Sequence, residues 1–258
     1  MSGLTDTEIE RYARQLILPE IGDDGQDALR KTRLCIVGAG GLGVPAALLA
    51  AAAGFGQLTI IDDDTIDATN LNRQFIYQPD QIGMAKAEVL AGFAAAQNPH
   101  ITVTSQLHYC DEARAGELAA THDIIIDASD NIETRQRLNK ACLRSHTPLI
   151  FVGAIRFEGQ LMVIAPHLSD KGESACFSCV FPSGPDAAQA PNCATVGIAG
   201  PITTIMGGKA VLEAMKCAIG SPALLLDHLL LFDGLHYDAT LIRTKKQAEC
   251  PACSKIPS

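Results

Sequence analysis

Between residues 34 and 53 a short apolar run, a glycine cluster and an alanine-rich stretch follow one another without a gap. Leu34 to Val37 reads as a buried strand. Gly38, Gly40 and Gly43 give a G-x-G-x-x-G spacing, and Val44 to Ala53 reads as a helix with Pro45 in its first turn, where a missing N–H costs nothing. This strand–turn–helix order is the context that a dinucleotide-type fingerprint needs. Glycines permit the tight turn, and a helix N-terminus presents unpaired N–H groups to a phosphate. A second strand, Leu58 to Ile61, ends in Asp62, at the distance where an acid suits ribose hydroxyls. Together these features predict nucleotide binding over a bare βα turn, without naming the nucleotide.

The rest of the chain fits that start. Strands are expected at 101–105, 122–127 and 149–152, alternating with helices at 83–96, 111–121 and 133–145. Such alternation predicts a doubly wound, mainly parallel α/β sheet of Rossmann-like type. Thr5 to Glu8 has capping-box spacing for a helix to about Leu18, and a second helix is expected over 26–31. After residue 153 the pattern changes. A hairpin is expected with strands 154–157 and 160–165 about Glu158-Gly159, then a loop-rich stretch over 166–201. A helix over 201–219 and an antiparallel pair at 229–232 and 239–243 complete the chain.

Several polar groups fall just past predicted strand ends, where open α/β sheets bind ligands. Asp63 to Gln74 is rich in Asp and Asn and contains Arg73, whose planar fork suits phosphate; a polar surface loop is the plainer reading. Lys86 opens a helix, an unfavourable place for a cation unless an anion lies near. Asp130 is placed either to hold Mg²⁺ against phosphates or, with Asn131, to cap the next helix. Arg11 and Arg14 share a helix face that reads as a solvated one.

A formal net charge of −9 with no basic tract argues against nucleic acid as a partner. No apolar run is long enough to span a bilayer, and Met1 to Glu8 lacks the features of a signal peptide, so a cytoplasmic protein is expected. In that setting the nine cysteines read as thiols and metal ligands. Cys176-x-x-Cys179 and Cys250-x-x-Cys253 match a four-thiolate structural Zn²⁺ site that would staple the tail. Cys35, Cys142 and Cys217 read as core residues. Cys193, in a loop rich in Gly, Pro and Ala, reads equally as an inert thiol or a nucleophile.

Taken in order, Gly38 to Gly43, Asp62, the D-x-x-x-x-x-N-L-x-R-Q segment from Asp64 to Gln74, Lys86, Asp130-Asn131 and the two cysteine pairs resemble the MoeB/ThiF/HesA family, relatives of ubiquitin-activating enzymes. The resemblance covers nearly the whole chain, including Arg11-Tyr-Ala-Arg14-Gln15. It implies ATP-dependent adenylation of the C-terminal carboxylate of a small ubiquitin-like sulfur carrier, with pyrophosphate released. It implies that Gly38, Gly40, Gly41, Gly43, Asp62, Asn70, Arg73, Gln74, Lys86 and Asp130 form the ATP site, with Mg²⁺ on Asp130. It further implies a homodimer in which Arg14 reaches the partner subunit's site, and it places Cys193 near a loop cysteine that some members use in thioester or persulfide chemistry.

The expected organisation is one adenylation domain over 1–258: N-terminal helices to 32, a nucleotide-binding core over 33–153, and a carrier- and zinc-binding part over 154–258. A separate sulfur donor is expected. The carrier is left open among a MoaD type, for molybdopterin (molybdenum cofactor) synthesis, a ThiS type, for thiamine synthesis, a cysteine-synthesis carrier and a peptide, with the first preferred. An NAD-dependent oxidoreductase and a non-catalytic carrier-docking module are the competing readings; the first gives Arg73, Lys86 and the zinc tail no role.

Overall fold

The computed structural model describes residues 3–169, 174–182 and 196–254. Eight strands form one sheet: β1 (Arg33–Val37), β2 (Gln57–Ile61), β3 (Thr102–Gln106), β4 (Ile124–Asp127), β5 (Leu149–Ile155), β6 (Glu158–Ile164), β7 (His228–Asp233) and β8 (Asp238–Arg243). Their order is β3-β2-β1-β4-β5-β6-β7-β8. The first five run parallel, and β6 to β8 add antiparallel pairs. The helices are α1 (Asp6–Leu16), α2 (Gly22–Lys31), α3 (Gly43–Ala53), α4 (Lys86–Gln97), α5 (Glu112–Thr121), α6 (Ile132–Ser145), α7 (Phe177–Val180) and α8 (Gly200–Ala218).

The central strands β1, β4 and β5 have no polar face because both faces are covered. In β1, Leu34 and Ile36 join one core with α3, α4 and α8, while Cys35 and Val37 join a second with α5 and α6. Ile124 and Ile126 against Ile125 in β4, and Ile150 and Val152 against Leu149 and Phe151 in β5, divide in the same way. This is the period-two alternation of a strand, read as a continuous apolar run because both sides are buried. Each fully buried Leu or Ile contributes roughly 1.5–3 kcal/mol, so these three central strands anchor the molecule. The Cys35 and Cys142 thiols belong to the second core, as expected, whereas Cys217 is half-buried.

At the N-terminus, the Thr5 side chain accepts from the Glu8 N–H and the Glu8 carboxylate accepts from the Thr5 N–H, so the capping box forms. Helix α2 starts at Gly22, four residues before the expected start; Asp23 and Asp24 in its first turn favour the earlier beginning. The expected hairpin is shifted. β5 continues to Ile155, which pairs with Glu158, so the turn is Arg156-Phe157 and Glu158-Gly159 belongs to β6. Arg156 takes the left-handed conformation, with φ 51°. Gly159 is needed for packing, since a Cβ there would overlap the Met206 side chain on α8. Among the described residues, no helix is long and apolar enough to cross a membrane.

Candidate active site

Strand order reverses between β1 and β4, because β1 leads outward to β2 and β4 outward to β5. Loops leaving neighbouring strands part at such a switch point and leave a crevice. Here the crevice is a cavity of about 620 Å³ lined by residues from both sides. Gly38, Gly40, Gly41, Asp62, Asn70, Arg73, Gln74, Lys86 and Asp130 all line it.

The glycine loop is dictated by close approach. Gly38 has φ 104°, and a Cβ there would lie 2.7 Å from the Ala128 carbonyl oxygen. A Cβ on Gly43 would overlap the Gly38 carbonyl oxygen, so both positions exclude a side chain. No side chain caps α3; in its first turn the Val44 N–H donates to the Gly40 carbonyl at 2.9 Å and Pro45 has no N–H to satisfy. The loop is held from two sides. Asp62 accepts from the Ala39 N–H at 2.6 Å and the Asp64 N–H at 2.8 Å. Burial raises the Asp62 carboxyl above its ordinary range. The Tyr77 hydroxyl donates to the Ala39 carbonyl at 2.8 Å and also lies 3.2 Å from the Lys86 carbonyl.

The charged groups differ in how far they are already satisfied. Lys86 is buried and paired with Asp64 at 2.9 Å. Among the described residues Arg73, half-buried, donates only to neutral oxygens, the Thr69 carbonyl and Asn72 Oδ1, both at 3.1 Å. Gln74 donates to Asn70 Oδ1 at 3.3 Å, and its buried Oε1 has no partner among the described residues. The sequence left helix capping open between Asp130 and Asn131. Asn131 is the cap, accepting from the Thr134 N–H at 2.8 Å. Asp130, exposed, is thereby left uncommitted at the cavity rim. The cavity thus offers an anion N–H groups and Arg73, and offers a cation the Asp130 carboxylate. The carboxylates of Asp62, Asp63 and Asp64 also lie within 4.8 Å of one another.

Three expected site residues do not line the cavity, the first being Gly43, which opens α3. Arg14 is exposed on α1 and does not line the cavity. Cys193 lies outside the described residues. Conversely, sequence reasoning passed over Tyr77, Cys110 and Arg135. Cys110 lines the cavity with its thiol pushed up to about 12 by burial. Arg135 lines it too, and it carried a readable signal: a cation in the first turn of a helix, the placement that singled out Lys86.

The second polar cluster is built differently. The sulfurs of Cys176, Cys179, Cys250 and Cys253 are all buried and lie within 4.8 Å of one another. Cys176 Sγ is 3.8 Å from that of Cys179 and 3.6 Å from that of Cys250, and Cys179 Sγ is 3.5 Å from that of Cys253. A tetrahedral Zn²⁺ with Zn–S of about 2.3 Å sets sulfurs about 3.8 Å apart, so the four thiols fit such an ion. Neighbours fix the sulfurs. Asn139, fully buried on α6, points its amide at Cys176 Sγ (3.6 Å) and accepts from the Phe177 N–H at 3.0 Å. The Gln247 N–H points at Cys179 Sγ, 3.4 Å away.

The chain is 34% identical over 252 residues to the SAMP-activating enzyme E1 of Haloferax volcanii, covering 98% of this chain and 91% of that one. It is 34% identical over 255 residues to the sulfur carrier protein adenylyltransferase of Thermus thermophilus, covering 98% and 94%. It is 38% identical over 259 residues to an adenylyltransferase and sulfurtransferase of Caenorhabditis briggsae, of whose length it spans 63%. The fold is shared with Escherichia coli MccB solved with ATP, at a TM-score of 0.81 and 21% identity over 95% of this chain and 75% of that one. The sequence matches the ThiF family over residues 12–252, and the chain belongs to that family.

Proposed function

We propose that the chain is an adenylyltransferase that uses ATP and Mg²⁺ to activate the C-terminal carboxylate of a small ubiquitin-like sulfur carrier of MoaD or ThiS type. Acyl-adenylate and pyrophosphate are the products, in the service of molybdopterin or thiamine synthesis. One observation carries the reading: a helix start with no side-chain cap, an arginine with no carboxylate partner among the described residues and the exposed carboxylate of Asp130 share one cavity at the switch point. The carboxylate substrate is its own nucleophile. Its difficulty is charge, because an anion must approach the α-phosphate. Positioning and electrostatic stabilisation supply most of the help such a reaction needs.

In this reading the glycine loop with Gly41 and the start of α3 hold the phosphates, and Asn70, Gln74, Arg73 and Lys86 neutralise them. Asp62 serves the ribose and Asp130 would hold Mg²⁺. The exposure of Arg14, away from its own cavity, supports a role in the partner subunit of a homodimer. Cys176, Cys179, Cys250 and Cys253 would hold Zn²⁺ as a staple with no open coordination position. Cys193 is a candidate nucleophile for later sulfur transfer from a separate donor, and the setting is the cytoplasm. ATP–pyrophosphate exchange with and without MoaD- and ThiS-type carriers tests the reading. Exchange that requires one carrier is expected and selects the pathway; exchange with neither overturns the reading.

A further inference from the structure

The cavity holds a second cation that this reading leaves unused. Arg135 Nη2 donates to the Ser129 carbonyl at 2.6 Å. Its guanidinium lies over the Phe151 ring, 4.8 Å from the centroid. Phe151 is backed in turn by Phe177 and Phe181, at 5.0 and 5.4 Å between ring centroids. The plane of the guanidinium is therefore fixed from below and at one edge. Among the described residues its buried Nε has no hydrogen-bond partner and no carboxylate forms an ion pair with it. The nearby Asp127 accepts from Ser129 on Oδ1, while its buried Oδ2 has no hydrogen-bond partner among the described residues. Burial raises the Asp127 carboxyl, and the Arg135 charge offsets part of that rise.

A Cβ added at Gly153 would press on Phe151 at 3.2 Å and come within 3.9 Å of Arg135 Nη1. Glycine at this position therefore keeps β5 from crowding the ring and the guanidinium above it. Position along the sheet completes the argument. The glycine loop and Arg73 follow β1 and β2, on one side of the switch point; Arg135 and Gly153 belong to α6 and β5, on the other. Adenylation brings two anions into one cavity, and each needs a cation. Arg73 and the uncapped helix serve the polyphosphate.

We propose that Arg135 binds the terminal carboxylate of the protein substrate and aims it at the α-phosphate, so that it sets the requirement for a free C-terminus. This rests on the adenylation reading above. In the step itself a carboxylate oxygen bonds to the α-phosphorus. The bond from that phosphorus to the bridging oxygen breaks, and pyrophosphate leaves with the electron pair. No proton moves, so a fixed, permanently charged guanidinium suits the task better than an acid or base.

The test compares the exchange-competent carrier with the same carrier ending in a carboxamide, by direct binding in the presence of ATP without Mg²⁺. The wild-type chain is expected to prefer the carboxylate by about tenfold or more. Arg135→Gln is expected to reduce that preference to about twofold or less, with ATP affinity and Tm unchanged. Arg135→Lys, which keeps the charge but not the fork, is expected to fall between and serves if the glutamine variant does not fold. Undiminished preference in both variants overturns the assignment of Arg135 alone, as does an equal loss of ATP affinity, which would place Arg135 on the phosphates. Failure of the wild-type chain to catalyse exchange with either type of carrier overturns the adenylation reading, and this proposal falls with it.

Discussion

The two polar clusters lie along one helix and follow opposite rules. At the start of α6, the cavity groups Arg73, Asp130 and Arg135 have few protein partners, and two buried polar atoms, Gln74 Oε1 and Arg135 Nε, have none. Further along α6, Asn139 serves a cluster in which the Cys176 and Cys179 sulfurs each have at least two close polar neighbours. Uncompensated groups cost stability, because burial without a partner is unfavourable. A fold retains them where a ligand completes them. Satisfied groups spend their chemistry on holding the chain. The difference separates residues whose loss should be read in catalysis from those whose loss should be read in stability.

The largest expected effect lies at the thiol cluster. Cys250→Ser removes one of the four proposed metal ligands and should cost about 4 kcal/mol or more, on the order of 10 °C in Tm. Bound zinc should fall from about one per chain to near none, while exchange persists well below the new Tm. Metal analysis and calorimetry measure this directly. A variant that keeps its Tm but loses exchange would reverse the roles assigned to the two clusters.

Arg73→Ala should do the opposite. Carrier-dependent exchange should drop on the order of 10²–10³-fold, about 3–4 kcal/mol of transition-state stabilisation. Its hydrogen bonds go only to the Thr69 carbonyl and Asn72, so Tm should hardly move. Unchanged exchange would remove Arg73 from the chemistry.

How much of this was legible from residues alone depended on how local the cause was. The glycine loop was fully legible, since a strand, three glycines and a helix state their geometry in sequence. The Thr5–Glu8 capping box and the two cysteine pairs were legible for the same reason: type and spacing suffice. The hairpin turn was misplaced because Gly159 is needed against Met206 on α8, a contact made across 47 residues of sequence. Arg156 meanwhile takes a positive φ that nothing about arginine announces. Asp130 and Asn131 could not be separated by propensity, because either could cap α6; only the structure assigns the cap to Asn131. Tyr77 was missed because its partner, the Ala39 carbonyl, is a backbone group with no signature of its own, whereas the place of Arg135 in the first turn of α6 was readable and was passed over.

Asn139 probes whether the clusters are independent. Asn139→Ala leaves the Phe177 N–H buried without its acceptor, at a cost of about 1–3 kcal/mol. If α6 is a rigid spacer, the variant should lose stability and hold zinc more weakly while exchange below Tm is retained. A parallel tenfold loss of exchange would mean that the helix transmits strain from one cluster to the other, and the separation drawn above would fail.

The smallest expected effect extends the rule to a satisfied group far from both clusters. His122 Nε2 lies 2.9 Å from Thr59 Oγ1, and Nδ1 lies 3.0 Å from the Leu118 carbonyl. The neutral tautomer fits, with Nδ1–H donating to the carbonyl and Nε2 accepting from the Thr59 hydroxyl. Thr59 in turn accepts from Thr104. Burial lowers the pKa of His122 below its ordinary value, since the charged form is the one desolvated. The unfolded chain therefore takes up a proton before the folded one does. The stability from the neutral histidine is complete above the unfolded pKa of about 6.5, and is lost as pH falls from there through the lower folded value. Denaturant midpoints at about pH 7.5 and 5.5 should show a smaller drop in His122→Gln than in the wild type, with exchange unaltered. Equal drops would show that the His122 network carries no net preference for the neutral form. A change in exchange would show that a fully partnered side chain can still govern the chemistry, and partner count would then cease to separate the two kinds of site.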